Sequence, residues 1–319
     1  MSIETIERLS NAIPNVVHVE RPYLENALKI KKLQIAKGPI DKEVSDATSK
    51  VTMWETELHQ LNSWSLQWFF AKLTVKKREN IIMRSACTLQ AEIDRAAKCL
   101  EKANKVLTEV EQKAAEEDEQ IRSVETMNEK YYVDYRALEK YREDLGILLD
   151  DALKGNTYAT VDMMKRTLDD CIERCRQNED KMKRLEKVKD LIRTADLSLM
   201  EGIIELRSST LTEKMMGEGK VYFPQVAFDS LKQAREECPE LPGFPSPQEY
   251  VNEADNTGAY YSPMQKYLWD VRKKLAELIV WCDQQILVSL DIDTELQIEV
   301  GLKTDEYNLE RCRVYKELL

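Results

Sequence analysis

Cys171 and Cys175 lie four residues apart, a spacing that puts two thiols on one helical face where a pair of soft metal ligands would sit. A tetrahedral zinc site needs two more ligands, and the sequence offers neither a CxxC pair nor a nearby histidine. Both cysteines also fall on apolar positions of a heptad pattern, where a free cysteine packs as a small hydrophobe. No metal is expected. The chain has two histidines, His18 in an apolar Val-Val-His-Val piece and His59 between Leu58 and Leu61, and neither stands in a motif. HExxH, GxSxG, GxGxxG and glycine-rich phosphate loops are all missing from the sequence. The expectation is therefore a chain without catalytic residues or cofactor.

A different kind of chemistry is suggested by Trp64, Trp68, Phe69 and Phe70, followed by the basic run Lys76, Lys77 and Arg78. Large aromatic side chains beside cations can dock on a partner helix or enter a membrane interface. They can equally plug the corner of a helical hairpin, where several faces must be filled at once. Tyr131, Tyr132, Tyr135 and Tyr141 could stack on bases, but Glu129, Asp134 and Glu139 beside them repel phosphate, and core packing is the expected role. The net charge of −11 also disfavours nucleic acid as a partner. Pro239 to Pro245 has PxxP spacing without a suitably placed arginine, and reads as a stiff linker.

The elements that would position these residues are helices. Charged residues make up 33% of the 319-residue chain, while glycine and proline number nine each, too few for the turns of a β-sandwich or a doubly wound α/β fold. Prolines 14, 22 and 39 punctuate an N-terminal lead (1–39) with a short helix over Tyr23 to Lys37. A long helical body (40–216) follows. Then comes a Pro/Gly-rich connector (217–262) with short structured pieces, and a C-terminal helical segment (263–319) opened by an N-cap serine and proline at Ser262-Pro263.

Within the body, alternating four- and three-residue steps from Ile40 to Ala152 meet apolar side chains almost throughout. The exceptions are Ser65, Lys72, Glu79, Glu117, Asn128 and Arg142. This is a heptad seam. As one helix it would run about 170 Å, so turns are expected where the seam turns polar: within Asn62 to Lys77 first, and at Glu116 to Glu119 second. Gly155-Asn156 reads as a clear helix stop. A further helix from about Tyr158 to Glu213 carries its own seam, interrupted at Asn178, Lys189 and Asp196, and should run antiparallel to the one before it. Residues 290–302 alternate apolar and polar and read equally as a short strand or as helix; Val221 to Phe228 and Asn15 to Val19 are the only plausible strand partners.

The fold class expected is all-α: a long antiparallel helical hairpin or bundle with coiled-coil-like heptad packing. The function expected is a non-catalytic structural or adaptor protein whose helices self-associate, as a homodimer for example, or bind protein partners. The alternative is a helical protein acting on membrane surfaces through residues 64–78. The start of the chain shows no secretory signal, and the seven cysteines lack framework spacing, so the expected compartment is the cytoplasm.

Overall fold

The computed structural model describes residues 3–74, 79–154, 158–208, 224–241 and 263–318, except for the side chains of 64–74, 79–89, 204–208 and 263–266. The described residues are helical almost throughout. Helix α1 spans Ile3–Val16 and is followed by a 3-10 turn, Val17–Val19. Then come α2 (Glu20–Thr74), α3 (Glu79–Ala152), α4 (Ala159–Ser208), α5 (Gln225–Glu237) and α6 (Pro263–Glu317). The chain is all-α, and no strand occurs among the described residues.

Several sequence expectations are corrected. The Tyr23–Lys37 stretch is helical but does not end at Gly38-Pro39: α2 continues through Pro39 to Thr74. A proline there lacks the N–H that would reach the Ile35 carbonyl, yet the helix continues, with Lys37 paired forward to Asp41 at 3.7 Å and across to Asp118. The second candidate turn, Glu116 to Glu119, lies inside α3. Asp118 is engaged by Lys37, while Glu116 and Glu119 face solvent, so helix accommodates these three side chains.

The strand reading of 290–302 is overturned as well, because this stretch is the middle of α6. Its side chains sort by helical period: Leu290, Asp293 and Thr294 are buried, whereas Ile292 and Leu302, which a strand would turn inward, are exposed. A lone strand would also leave its backbone groups unpaired, and the proposed partners are helical or lie outside the described residues. Residues 75–78, after the end of α2, and 155–157, before the start of α4, lie outside the described residues. So do 217–223 and 242–262 of the connector, in which α5 stands.

The chain divides into two units. One, residues 25–133, comprises most of α2 with the first part of α3. Here the heptad seam governs which side chains are shielded. From Val44 to Leu61 and from Ile93 to Tyr131, no described seam position is exposed, while most of the positions between them are. Ala47, Val51, Ala96, Val110, Ile121 and Val124 are buried outright. Lys37 Nζ donates to Asp118 Oδ1 at 2.5 Å, joining the basic stretch of α2 to the acidic stretch of α3.

The other unit holds residues 1–24 and 134–319. Cross-helix pairs give its topology. Asn178 with Ser289, Lys189 with Asp283, and Asp196 with Arg272 show α4 and α6 antiparallel. Arg142 with Asp305 and Asp150 with Arg311 show α3 and α6 parallel. It follows that α4 runs opposite to α3, as the short connection between them predicts. The main core packs Ile192 and Leu199 of α4 and Leu268, Leu275 and Leu278 of α6 around α5. That helix presents Ala227 and Ala234, small and fully buried, so it can approach closely.

Candidate functional site

The aromatic–basic segment singled out in the sequence belongs to the end of α2 and the residues after it. Trp64, Trp68, Phe69 and Phe70 are on the helical backbone of α2, with side chains outside the described set. Lys76, Lys77 and Arg78 lie outside the described residues altogether.

The described polar sites are assembled where the seams turn polar. Arg142, a seam exception on α3, is largely withdrawn from water and forms a fork. Nη1 and Nη2 donate to the two carboxylate oxygens of Glu20, the second at 2.8 Å, while Nε and Nη2 donate to Asp305 at 2.8 and 2.6 Å. Burial pulls the guanidinium pKa down, but the two carboxylates more than offset it and hold the arginine charged. Nearly two turns of α6 beyond Asp305, Arg311 is buried, with Nη2 donating to Asp150 and to the Gly146 carbonyl at 3.3 Å and its guanidinium over the Tyr307 ring. Beside the fork, Tyr135 stacks on Tyr23 with ring centroids 4.1 Å apart. Burial, then Glu139 and Glu20, push the Tyr135 hydroxyl up to about 12. Of the other tyrosines, Tyr141 packs at the edge of the α1 core, and Tyr132 is exposed.

The three polar interruptions of the α4 seam all reach α6. Asn178 Nδ2 donates to the Ser289 carbonyl at 2.9 Å. Lys189 bonds Asp283, and Arg272 forms a bidentate pair with Asp196 at 2.6 and 3.0 Å. These groups are largely withdrawn from water, and each charge is paired with its opposite, which is the condition for tolerating buried charge. They are arranged to fix the register of two helices and present no reactive atom to a cleft.

Cys171 and Cys175 face α6 next to Glu299 and Asp293. Burial first, and then those carboxylates, raise both thiols, which favours the protonated form over the thiolate that a metal requires. Among the described residues no three histidine, cysteine or acidic side chains converge as a metal site. His18 and His59 are both exposed. Cys282 is fully buried, and burial together with the neighbouring Cys238 and Asp283 pushes it up to about 11. Pro239, from the PxxP stretch, lines a shallow cavity with Cys238, Trp281 and Leu185; Pro242 and Pro245 lie outside the described residues. No described helix is long and apolar enough to cross a membrane.

No protein-family model, curated protein or solved structure matches the chain.

Sequence reasoning missed Glu20, Asp305, Asp150 and Arg311 as members of buried networks. Arg142 was the available signal: a lone arginine on an apolar seam requires an acidic partner, although the partner's place in the chain cannot be read from that requirement.

Proposed function

We propose that this chain is a non-catalytic structural or adaptor protein that uses long amphipathic helices to associate with itself or with protein partners. The observation carrying this reading is the seam of α2 and α3, shielded at every described position over helices of 55 and 74 residues with a charged exterior. Coiled-coil packing of knobs into holes is the arrangement that such a seam supports. Arg142, Lys189 and Asp196, charged interruptions of the seams, each pair with an opposite charge on another helix, and this favours alignment over chemistry as their role. The cytoplasm is the compartment proposed, from scattered cysteines that are free wherever they are described. Multi-angle light scattering across a hundredfold range of concentration tests self-association. A mass rising with concentration is the expected result, and a monomer at every concentration would remove that part of the reading.

The second reading, action at a membrane surface, rests on the residue types of the 64–78 segment. Co-sedimentation with anionic liposomes at low salt, comparing the natural chain with Trp68→Glu, separates the two. Binding that Trp68→Glu abolishes favours the membrane reading, and no binding by either chain discards it.

A further inference from the structure

Helix α1 lies in a groove that belongs to two other helices. α3 and α6 run parallel here, and Leu138, Leu145 and Leu149 of α3 with Cys312 of α6 form the floor. Into it α1 lowers Ile6, Leu9 and Ile13, all buried and spaced i, i+3 and i+7, the anchor pattern of a helix seated in a groove. At the rim Glu7 accepts from Lys316 Nζ at 2.9 Å, with both side chains about half exposed.

As a helix α1 is weak on its own. It has fourteen residues, a length at which isolated helices are marginal in water. Pro14 within it also removes the N–H that would reach the Ser10 carbonyl. The chain after it is pinned independently: Val19 is buried, and Glu20 is held by Arg142. Between α1 and the held Glu20 lies only the 3-10 turn Val17–Val19, in which Val17 packs on the same cluster as α1 and Val19 is buried. No atom of the Glu20–Arg142–Asp305 fork belongs to α1.

We propose that the α3–α6 groove is a docking site for an amphipathic helix of a partner protein, and that α1 is its built-in competitor. The partner helix carries Ile or Leu at i, i+3 and i+7. An acidic residue one position after its first anchor meets Lys316, as Glu7 does after Ile6. This rests on the partner-binding reading above and names its site; the light-scattering result on self-association can fail without touching it.

The probe is a fluorescein-labelled peptide of residues 3–16, titrated into the full natural chain and into the full chain carrying Leu9→Asp and Ile13→Asp. With its own α1 expelled, the variant is expected to bind the peptide at least tenfold more tightly than the natural chain. Adding Lys316→Glu should lower that affinity, and a peptide carrying Glu7→Lys should restore it. Equal binding by the natural and variant chains overturns the proposal. If the variant no longer melts cooperatively, amide hydrogen exchange on the natural chain decides: α1 exchanging at least a hundredfold faster than Leu275 to Cys282 of α6 supports the proposal, and equal protection overturns it.

Discussion

The Glu20 carboxyl group occupies the space in which a side chain at Gly301 would begin, so a Cβ built on that glycine would overlap it. The helix α6 therefore carries glycine at this level to admit a carboxylate from α2. Arg142 and Asp305 then close around that carboxylate from α3 and α6. Sequence, packing and electrostatics meet at one buried point joining three helices.

Gly301→Ala and Gly146→Ala should act in opposite directions although both sites are helical. At Gly301 the methyl group displaces Glu20, and overpacking of this kind costs about 1–3 kcal/mol. Around Gly146 nothing lies within 4 Å of a built Cβ, so the exchange only removes backbone freedom and stabilises by about 0.5–1 kcal/mol. Urea midpoints of the two variants against the natural chain check this; a shift of equal sign in both would contradict the geometry.

Arg142→Met should be among the more damaging single changes in this unit. It leaves Glu20 and Asp305 facing each other without their cation, and breaking a buried pair costs about 3–5 kcal/mol. In a double-mutant cycle with Glu20→Gln, the two losses should fail to add by about 0.5–3 kcal/mol, the signature of groups in one network. Additive losses would mean that the fork contributes nothing as a unit.

The helical class and the described positions of the seam from Ile40 to Ala152 were legible because shielding by a neighbouring helix follows a heptad period, which the sequence carries locally. The α6 opening at Pro263 was legible for a similar reason, a proline at a first helical position. Residues 290–302 were ambiguous because Ile292 and Leu302 are apolar yet exposed. Such side chains mimic strand alternation, and only the packing of Asp293 and Thr294 against the interior resolves the period. The acidic stretch of α3 misled in another way. Glu116 to Glu119 invited a turn, whereas Asp118 is polar because Lys37 lies opposite it across 81 residues of sequence. Pairings at that separation are set by where a hairpin turns and leave no local trace. The aromatic–basic segment at 64–78 has its side chains outside the described residues and remains a reading of residue types.

Exchanging the charges of Lys189 and Asp283 should separate alignment from mere presence of charge. Both side chains are about one-sixth exposed and face each other between α4 and α6. Lys189→Asp places two carboxylates together and should lower the melting temperature, as should Asp283→Lys with its two ammonium groups. The double exchange restores opposite charges and should recover about 0.5–3 kcal/mol relative to the sum of the single changes. No recovery would show that the pair does not act as a register contact.

Alkaline pH should destabilise the folded chain through Cys282 and Tyr135. The fold raises the thiol from 9.0 to about 11 and the phenol from 10.0 to about 12, in both cases chiefly by burial. The folded state thus favours the neutral forms, while the unfolded chain releases these protons at lower pH. Stability from the two groups is complete below about pH 9 and is lost as pH rises through 11 and 12, because the unfolded state there binds fewer protons. Urea midpoints should therefore be insensitive to these groups at neutral pH and fall steadily above pH 9. The same burial predicts alkylation order: iodoacetamide at pH 8 should mark the half-buried Cys238 in the native protein and spare Cys282 until urea unfolds it. Peptide mass mapping reads this directly, and native labelling of Cys282 at a rate matching Cys238 would show that the core around α5 and α6 opens to solvent.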